Sequence, residues 1–262
     1  MPGDAALVSW EEVGDGCFRR HYEFLDQNIG AVISGDGVLV VDTRSTLSQA
    51  DELAEDLKGL TDLPVRWVVN THYHWDHTFG NSRFRVPIWG HVACRRQLRT
   101  AAEAVKSELA GQPELAAISA ELARVEVVAP NHALARHSTI DVGDRRVELE
   151  YLGRAHTDSD IVVRVPDSGV VYAGDLVEEG APPSYGDSYP AEWPVALLRL
   201  AALPEGAVVP GHGRPVDRSY VEHQRLEVMA AIRAIQEGTP GPYPDDVMAE
   251  VAERLDRYPV RE

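Results

Sequence analysis

Residues 70–77 read Asn-Thr-His-Tyr-His-Trp-Asp-His, which places His72, His74, Asp76 and His77 within six positions. Neutral imidazoles and carboxylates are the donors that zinc takes, and that iron and manganese also accept. In an extended or tightly turned segment, residues i and i+2 point the same way, so His72 and His74 can share one ion. Asp76 and His77 lie one turn further on and can reach a second. Three more candidates each follow a short strand-like run, alternating before His156 and apolar before the other two. Val147 to Leu152 leads through Gly153-Arg154-Ala155 to His156. Val170-Val171-Tyr172 leads through Ala173-Gly174 to Asp175, and Ala207-Val208-Val209 leads through Pro210-Gly211 to His212. Ligands in α/β folds gather at the carboxyl ends of strands. Small residues before each candidate allow a sharp turn and close backbone approach. Four strand ends converging on one site is a stronger signal than any single motif.

The elements that must position these residues are legible in outline. Cys17 to Leu25, Asn28 to Ser34 and Val38 to Asp42 read as β-prone runs, with a turn at Gly35-Asp36-Gly37. Ala50, Leu53, Ala54, Leu57 and Leu60 recur at helical spacing, with Ser45 or Ser48 as the capping residue. Val65 to Val69 and Val86 to Gly90 are compact strands. The stretch from His91 to Arg124 is helical and broken at Gly111-Gln112-Pro113. Strands return from Ser138 to Ala173, and 178–194 reads as a long ordered loop. Helices follow at 190–203, 217–236 and 245–257, with a last short strand at 207–209. Strands and helices alternating in two halves suggest a layered α/β sandwich. The chain reads as one domain over 1–262, with 217–262 a C-terminal helical extension.

Composition narrows the partners. The 262 residues carry 25 basic and 42 acidic side chains, a formal charge of -17. Nucleic acid and anionic membranes require clustered Lys and Arg, so neither is an expected partner. The longest apolar runs, such as Gly37–Val41, are far below the roughly 18 residues that span a bilayer. Cys17 and Cys94 match no metal or redox spacing and read as free thiols. The start Met1-Pro2-Gly3-Asp4 does not resemble a secretion signal, so a cytoplasmic location is expected. A small-molecule substrate is the expected partner; the oligomeric state stays open.

From about Asn28 to Val216, the chain resembles the metallo-β-lactamase superfamily of metal-dependent hydrolases. The resemblance rests on His72-x-His74-x-Asp76-His77, Gly153-Arg154-Ala155-His156-Thr157, Asp175 and Pro210-Gly211-His212-Gly213, in that order. It implies an α/β fold, a four-layer αβ/βα sandwich with its metal site on one edge. It further implies two divalent ions, zinc before iron or manganese. His72, His74 and His156 would hold the first, Asp76, His77 and His212 the second, and Asp175 would bridge them. Asp42 matches the family's buried acidic position that braces the histidine loop. The implied chemistry is attack on a carbonyl by a metal-bridging hydroxide, with Asp76 orienting the nucleophile and relaying its proton.

Within that superfamily, secreted β-lactamases usually carry Cys or Ser where this chain has Asp175. Nucleases carry nucleic-acid-binding insertions, and the flavodiiron branch appends a flavin domain and replaces a ligand histidine with Glu. These departures leave a glyoxalase II-like hydrolase of thioesters, esters or lactones as the leading expectation. The segment 217–262 is shorter than the glutathione-binding domain of true glyoxalase II, which argues against a dedicated glutathione thioester. A mononuclear-iron persulfide dioxygenase and a β-lactam hydrolase are the alternatives. His91 follows a strand that could end near the site, and Tyr73 and Trp75 suit either a pocket wall or the core. His21, His132, His137 and His223 read as structural or surface residues.

Overall fold

The computed structural model describes residues 10–259. Its first half holds strands β1 (Glu11–Gly14), β2 (Cys17–Tyr22), β3 (Gln27–Ser34), β4 (Gly37–Val41), β5 (Val65–Val69), β6 (Ile88–His91) and β7 (His132–Leu134). Interleaved with them are helices α1 (Leu47–Leu60), α2 (Trp75–Thr78), α3 (Val92–Thr100), α4 (Ala102–Leu109) and α5 (Ser119–Leu122). The second half holds β8 (His137–Val142), β9 (Arg145–Tyr151), β10 (Ile161–Val165), β11 (Val170–Glu178) and β12 (Val208–His212). Helix α6 (Trp193–Leu200) precedes β12, and α7 (Arg218–Glu237) and α8 (Asp245–Arg257) follow it. No described helix is long and apolar enough to cross a membrane.

The strands hydrogen-bond in the order β7-β6-β5-β4-β3-β12-β11-β10-β9-β8, with β1 and β2 added beside β3. The two halves join edge to edge through the pair His212 and Gln27. Period-two alternation then builds the layers. On β4, Val38 and Val40 pack with Ala50, Leu53 and Leu57 of α1. Leu39 and Val41, on the opposite face, pack with Val147, Leu149, Val163 and Val170 of the second half. On β11 and β12 the same alternation sends Val171, Ala173 and Val208 toward α6–α8, and Val170, Tyr172 and Val209 toward the first sheet. Helix, sheet, sheet, helix is the αβ/βα order expected from the sequence.

Several local differences have simple causes. Helix α1 is capped by Thr46 rather than by Ser45 or Ser48. Thr46 is the residue with extended backbone immediately before the helix, and its Oγ1 accepts from Gln49 N at 3.3 Å. The helical stretch after His91 breaks at Ala101 as well as around Pro113. Strand β11 runs on through Asp175 to Glu178, so Asp175 lies inside the strand rather than beyond its end. There the register against β12 shifts around Gly174, whose φ of +55° is in the left-handed region. The bulge turns Asp175 toward the sheet edge. Cys17 and Cys94 are both free and buried. In 217–262, Val221, Val228, Met248 and Val251 join the same buried cluster as Leu176 and Trp193, so α7 and α8 pack on the second sheet.

Candidate metal centre

Strand β5 ends at Val69, and the loop after it carries His72 and His74 into α2, which holds Asp76 and His77. This turn meets His156, Asp175 and His212 at the edge where the two sheets join. His72, His74, His156 and Asp175 form one set of donors, and Asp76, His77 and His212 a second, each with its donor atoms within 4.8 Å of one another. All seven residues picked out in the sequence are therefore brought together. In the first set, His156 Nε2 lies 2.9 Å from His74 Nδ1 and 3.4 Å from Asp175 Oδ2, and His72 Nε2 lies 3.5 Å from Asp175 Oδ2. In the second, His77 Nε2 is 3.2 Å from Asp76 Oδ2 and 3.3 Å from His212 Nε2. Donors bound at 2.0–2.1 Å around a tetrahedral ion stand about 3.3 Å apart, close to the 2.9–3.5 Å that separates these pairs. Asp175 reaches both sets: Oδ1 is 3.3 Å from His77 Nε2, and Oδ2 is 3.4 Å from His212 Nε2.

Each histidine ties one ring nitrogen to the protein and aims the other at the site. His77 Nδ1 donates to Asp42 Oδ2 at 2.9 Å. His72 Nδ1 is 3.0 Å from Thr71 Oγ1, whose hydroxyl proton goes to Asp42 Oδ2 at 2.8 Å. His212 Nδ1 donates to the Leu25 carbonyl at 2.7 Å, and His156 Nδ1 to the Ser184 carbonyl at 3.3 Å. His74 faces the other way, with Nε2 3.2 Å from Asp187 Oδ2 and Nδ1 free for the site. Such partners fix tautomer and ring orientation, and Asp42 does so for two ligands at once. Asp42 holds a φ of +66°, a conformation rare outside glycine, asparagine and aspartate.

The pocket is built for cations. His72 Nε2 and Asp175 Oδ1 are buried polar atoms with no hydrogen-bond partner. Leaving such atoms bare costs about 1–3 kcal/mol each. Facing imidazole nitrogens at 2.9 and 3.3 Å also repel unless something positive lies between them. The donor set fits two divalent ions with nitrogen and oxygen ligands. Charge distribution agrees. Burial holds His72 well below the ordinary imidazole range and His156 down to about 4, despite the nearby Asp175. At His77 and His212 burial is outweighed by the surrounding carboxylates, Asp175 foremost, and both are raised well above that range. Burial opposes ionisation of Asp76 and Asp175 too, yet the neighbouring His77 and His212 hold both well below the carboxylate range. Divalent ions would replace the protons on these histidines, so loading releases protons.

Packing behind the ligands is tight. A Cβ on Gly211 would stand 1.8 Å from Asp175 Oδ1, so only glycine lets β12 pass this close. Glu178, buried beside the site, is pushed up to about 7, chiefly by burial and then by Asp175; its Oε1 accepts from Ser184 N at 3.1 Å. Tyr73 and Trp75 line a cavity of about 800 Å³ that opens from the ligands. His91 lies away from the site, with Nε2 donating to the Ala135 carbonyl at 3.2 Å and its ring stacked on Tyr151. His132 stacks on Trp89, and His21 and His223 face Asp26 and Glu227. The role of Asp187 was hidden in the sequence. Its loop is rich in Gly, Pro and Tyr, which signals order but not which side chain turns toward the ligands.

The family model described as the metallo-beta-lactamase superfamily matches residues 22–212, most of the chain. The chain belongs to the metallo-β-lactamase superfamily. The superfamily's metal-dependent hydrolases include relatives of modest identity. The "Metallo-beta-lactamase type 2" of Bacillus sp. (strain 170) is 24% identical over 192 residues, 71% of this chain and 66% of that protein. The "Linear primary-alkylsulfatase" of Pseudomonas sp. (strain ATCC 19151) is 23% identical over 254 residues, 82% of this chain and 48% of that protein. The chain thus spans about two thirds of the length of the first and about half of the second. Among solved structures, a metallo-beta-lactamase from Pontibacter korlensis superposes with a TM-score of 0.65 at 20% identity, covering 84% of this chain and 98% of that one. The metallo-beta-lactamase FIM-1 from Pseudomonas aeruginosa gives 0.64 at 23% identity, covering 86% and 96%. These structural likenesses establish the superfamily fold.

Proposed function

We propose that this superfamily member hydrolyses the carbonyl bond of a small thioester, ester or lactone at a centre of two divalent ions, zinc in the first instance. The observation that carries this reading is Asp175, whose two oxygens face two complete donor sets. Bound there, the ions would supply an activated water near neutral pH and an electrophile for the carbonyl oxygen. The protein's own residues supply position and proton transfer. Asp76 presents its carboxylate between His77 and His212, where it can orient the attacking water and take up its proton. Gln27 Nε2 donates to the Asp76 carbonyl at 2.5 Å and holds α2 in place. Asp42 and Asp187 keep His77, His72 and His74 in the tautomers that leave a lone pair toward the ions. A cavity of this size suits a small-molecule substrate.

A second reading is β-lactam hydrolysis, favoured by the names of the Bacillus relatives and the structural neighbours; the alkylsulfatase brings sulfate esters into the same comparison. A mononuclear-iron dioxygenase would use only part of the donors, which leaves the complete second set unexplained. Purified protein reconstituted with zinc, then assayed on thioester, lactone, β-lactam, alkyl sulfate and phosphodiester substrates, tests the ranking. Turnover confined to β-lactam, sulfate ester or phosphodiester would overturn it, as would oxygen uptake with a single iron.

A further inference from the structure

The cavity that opens from the metal centre is chemically two-sided. One wall runs away from the ligands along the α3–α4 corner and is mainly apolar: Leu98, Ala101, Ala102, Val105 and Leu109 line it, with Gln97, Glu108 and Gln112 among them, and Trp75 and Phe79 line the same cavity. This is an arm contiguous with the reacting centre. The ionisable residues that line it beyond the ligands are carboxylates: Asp26, Glu178, Glu179 and Asp187 around the rest of the cavity, and Glu108 on the α4 wall itself. No Lys or Arg lines it among the described residues, and the nearby Arg214 is paired with Glu179 at 2.9 Å. A substrate with a second anionic group would therefore meet carboxylates wherever that group left the ions, whereas an aliphatic segment would find an apolar wall.

We infer that the substrate is a carbonyl compound whose non-reacting part is uncharged and aliphatic, seated along the α3–α4 wall, and that substrates carrying a carboxylate or phosphate on that arm are rejected. The inference rests on the hydrolase reading for the bond that is cleaved, but not for the binding of the arm. Each methylene moved from water to this wall strengthens binding by a factor of up to about four. Chain length is then the specificity variable, and Ala101 sets the width of the arm. It is half-buried at the junction of α3 and α4, where a large side chain would project into the apolar space.

The test uses full-length, zinc-loaded protein and two probe sets. The first is p-nitrophenyl esters of straight acyl chains from two to eight carbons, with an eight-carbon ester ending in a carboxylate as the charged match. The second is acetamide and octanamide, neutral and unreactive, whose binding is read by calorimetry and thermal shift. Expected results are a rise in kcat/KM of at least about tenfold from acetyl to octanoyl, and at least tenfold poorer use of the carboxylate-ended ester. Octanamide should bind more tightly than acetamide. Ala101→Trp should lower the octanoyl-to-acetyl ratio at least fivefold and weaken octanamide, at unchanged zinc content and melting temperature. Should Ala101→Trp fail to fold, Ala101→Leu carries the same comparison. Esters turned over with a flat chain-length profile, or preference for the charged ester, would refute the aliphatic arm while leaving the hydrolase reading intact. No ester turnover with octanamide still bound along the wall would refute the hydrolase reading and support the arm.

Discussion

Replacing Asp42 by Asn exchanges one carboxylate oxygen for an NH2 group and removes the negative charge, with very little change of shape. Asp42 Oδ1 accepts from Thr71 N at 2.8 Å, while Oδ2 accepts from Thr71 Oγ1 at 2.8 Å and from His77 Nδ1 at 2.9 Å. Asn tolerates the left-handed backbone that Asp42 adopts, so the chain path is retained. The amide keeps its oxygen for Thr71 N, and its NH2 then faces the Thr71 hydroxyl and His77 Nδ1. A donor opposite Nδ1 forces the His77 proton onto Nε2, the nitrogen that lies 3.2 Å from Asp76 Oδ2 and 3.3 Å from His212 Nε2. That nitrogen can no longer offer a lone pair, and His72, which leans on the reversed Thr71 hydroxyl, loses its orientation too. Changes of this kind behind a ligand cost about 10- to 100-fold in metal affinity, or roughly 1.4–2.7 kcal/mol. Competition with a fluorescent chelator measures the affinity of each ion, with melting curves to confirm that the variant is folded. Zinc bound by a folded Asp42→Asn protein within about twofold of the parent would refute the tautomer argument.

Three further outcomes follow from separate parts of the structure. Gly211→Ala places a methyl 1.8 Å from Asp175 Oδ1 and must displace that carboxylate; elemental analysis should find at least one ion lost per chain, and full occupancy would count against Asp175 as the bridging group. Arg254 on α8 donates to the carbonyls of Asp187 and Ser188, both at 2.6 Å, so Arg254→Met should lower stability by about 1–3 kcal/mol. It should also speed proteolytic cleavage within 178–194, and an unchanged denaturation midpoint would contradict this. Burial lowers His91 below its ordinary value of 6.5, and its Nδ1 accepts from Ala93 N, so the folded protein resists protonating it. Because the unfolded chain binds that proton more readily, stability is intact above about pH 6.5 and falls as pH drops below it. His91→Gln should shrink the difference between urea midpoints at pH 7.5 and pH 5, and an identical difference in both proteins would refute the assignment.

The candidate ligands that the structure brings together were legible because each announces itself locally: a dense histidine run after a β-strand, or a lone His or Asp behind small residues at the end of a strand-like run. A layered α/β sandwich was legible in the alternation of strands and helices in two halves, and the four-layer order came with the family resemblance; the structure adds that Val38 to Val41 and Val170 to Ala173 are covered on both faces. What stayed hidden depends on contacts between distant segments. Asp187 reaches His74 across 113 positions, and Arg254 reaches the same loop from 66 residues further on. Neither pairing leaves a periodic trace. The apolar arm likewise depends on how α3 and α4 turn at Ala101, and the sequence marks that turn with no Gly or Pro. The cap of α1 fell on Thr46 because, among three neighbouring hydroxyl residues, backbone geometry rather than residue type decides which one caps.

The measurement that bears most directly on the account is a zinc titration of metal-stripped protein, following bound metal by mass spectrometry and thioester hydrolysis in the same samples. Saturation is expected at two ions per chain, with full activity only when both are bound. Saturation at one ion with full activity, or activity independent of added metal, would contradict it.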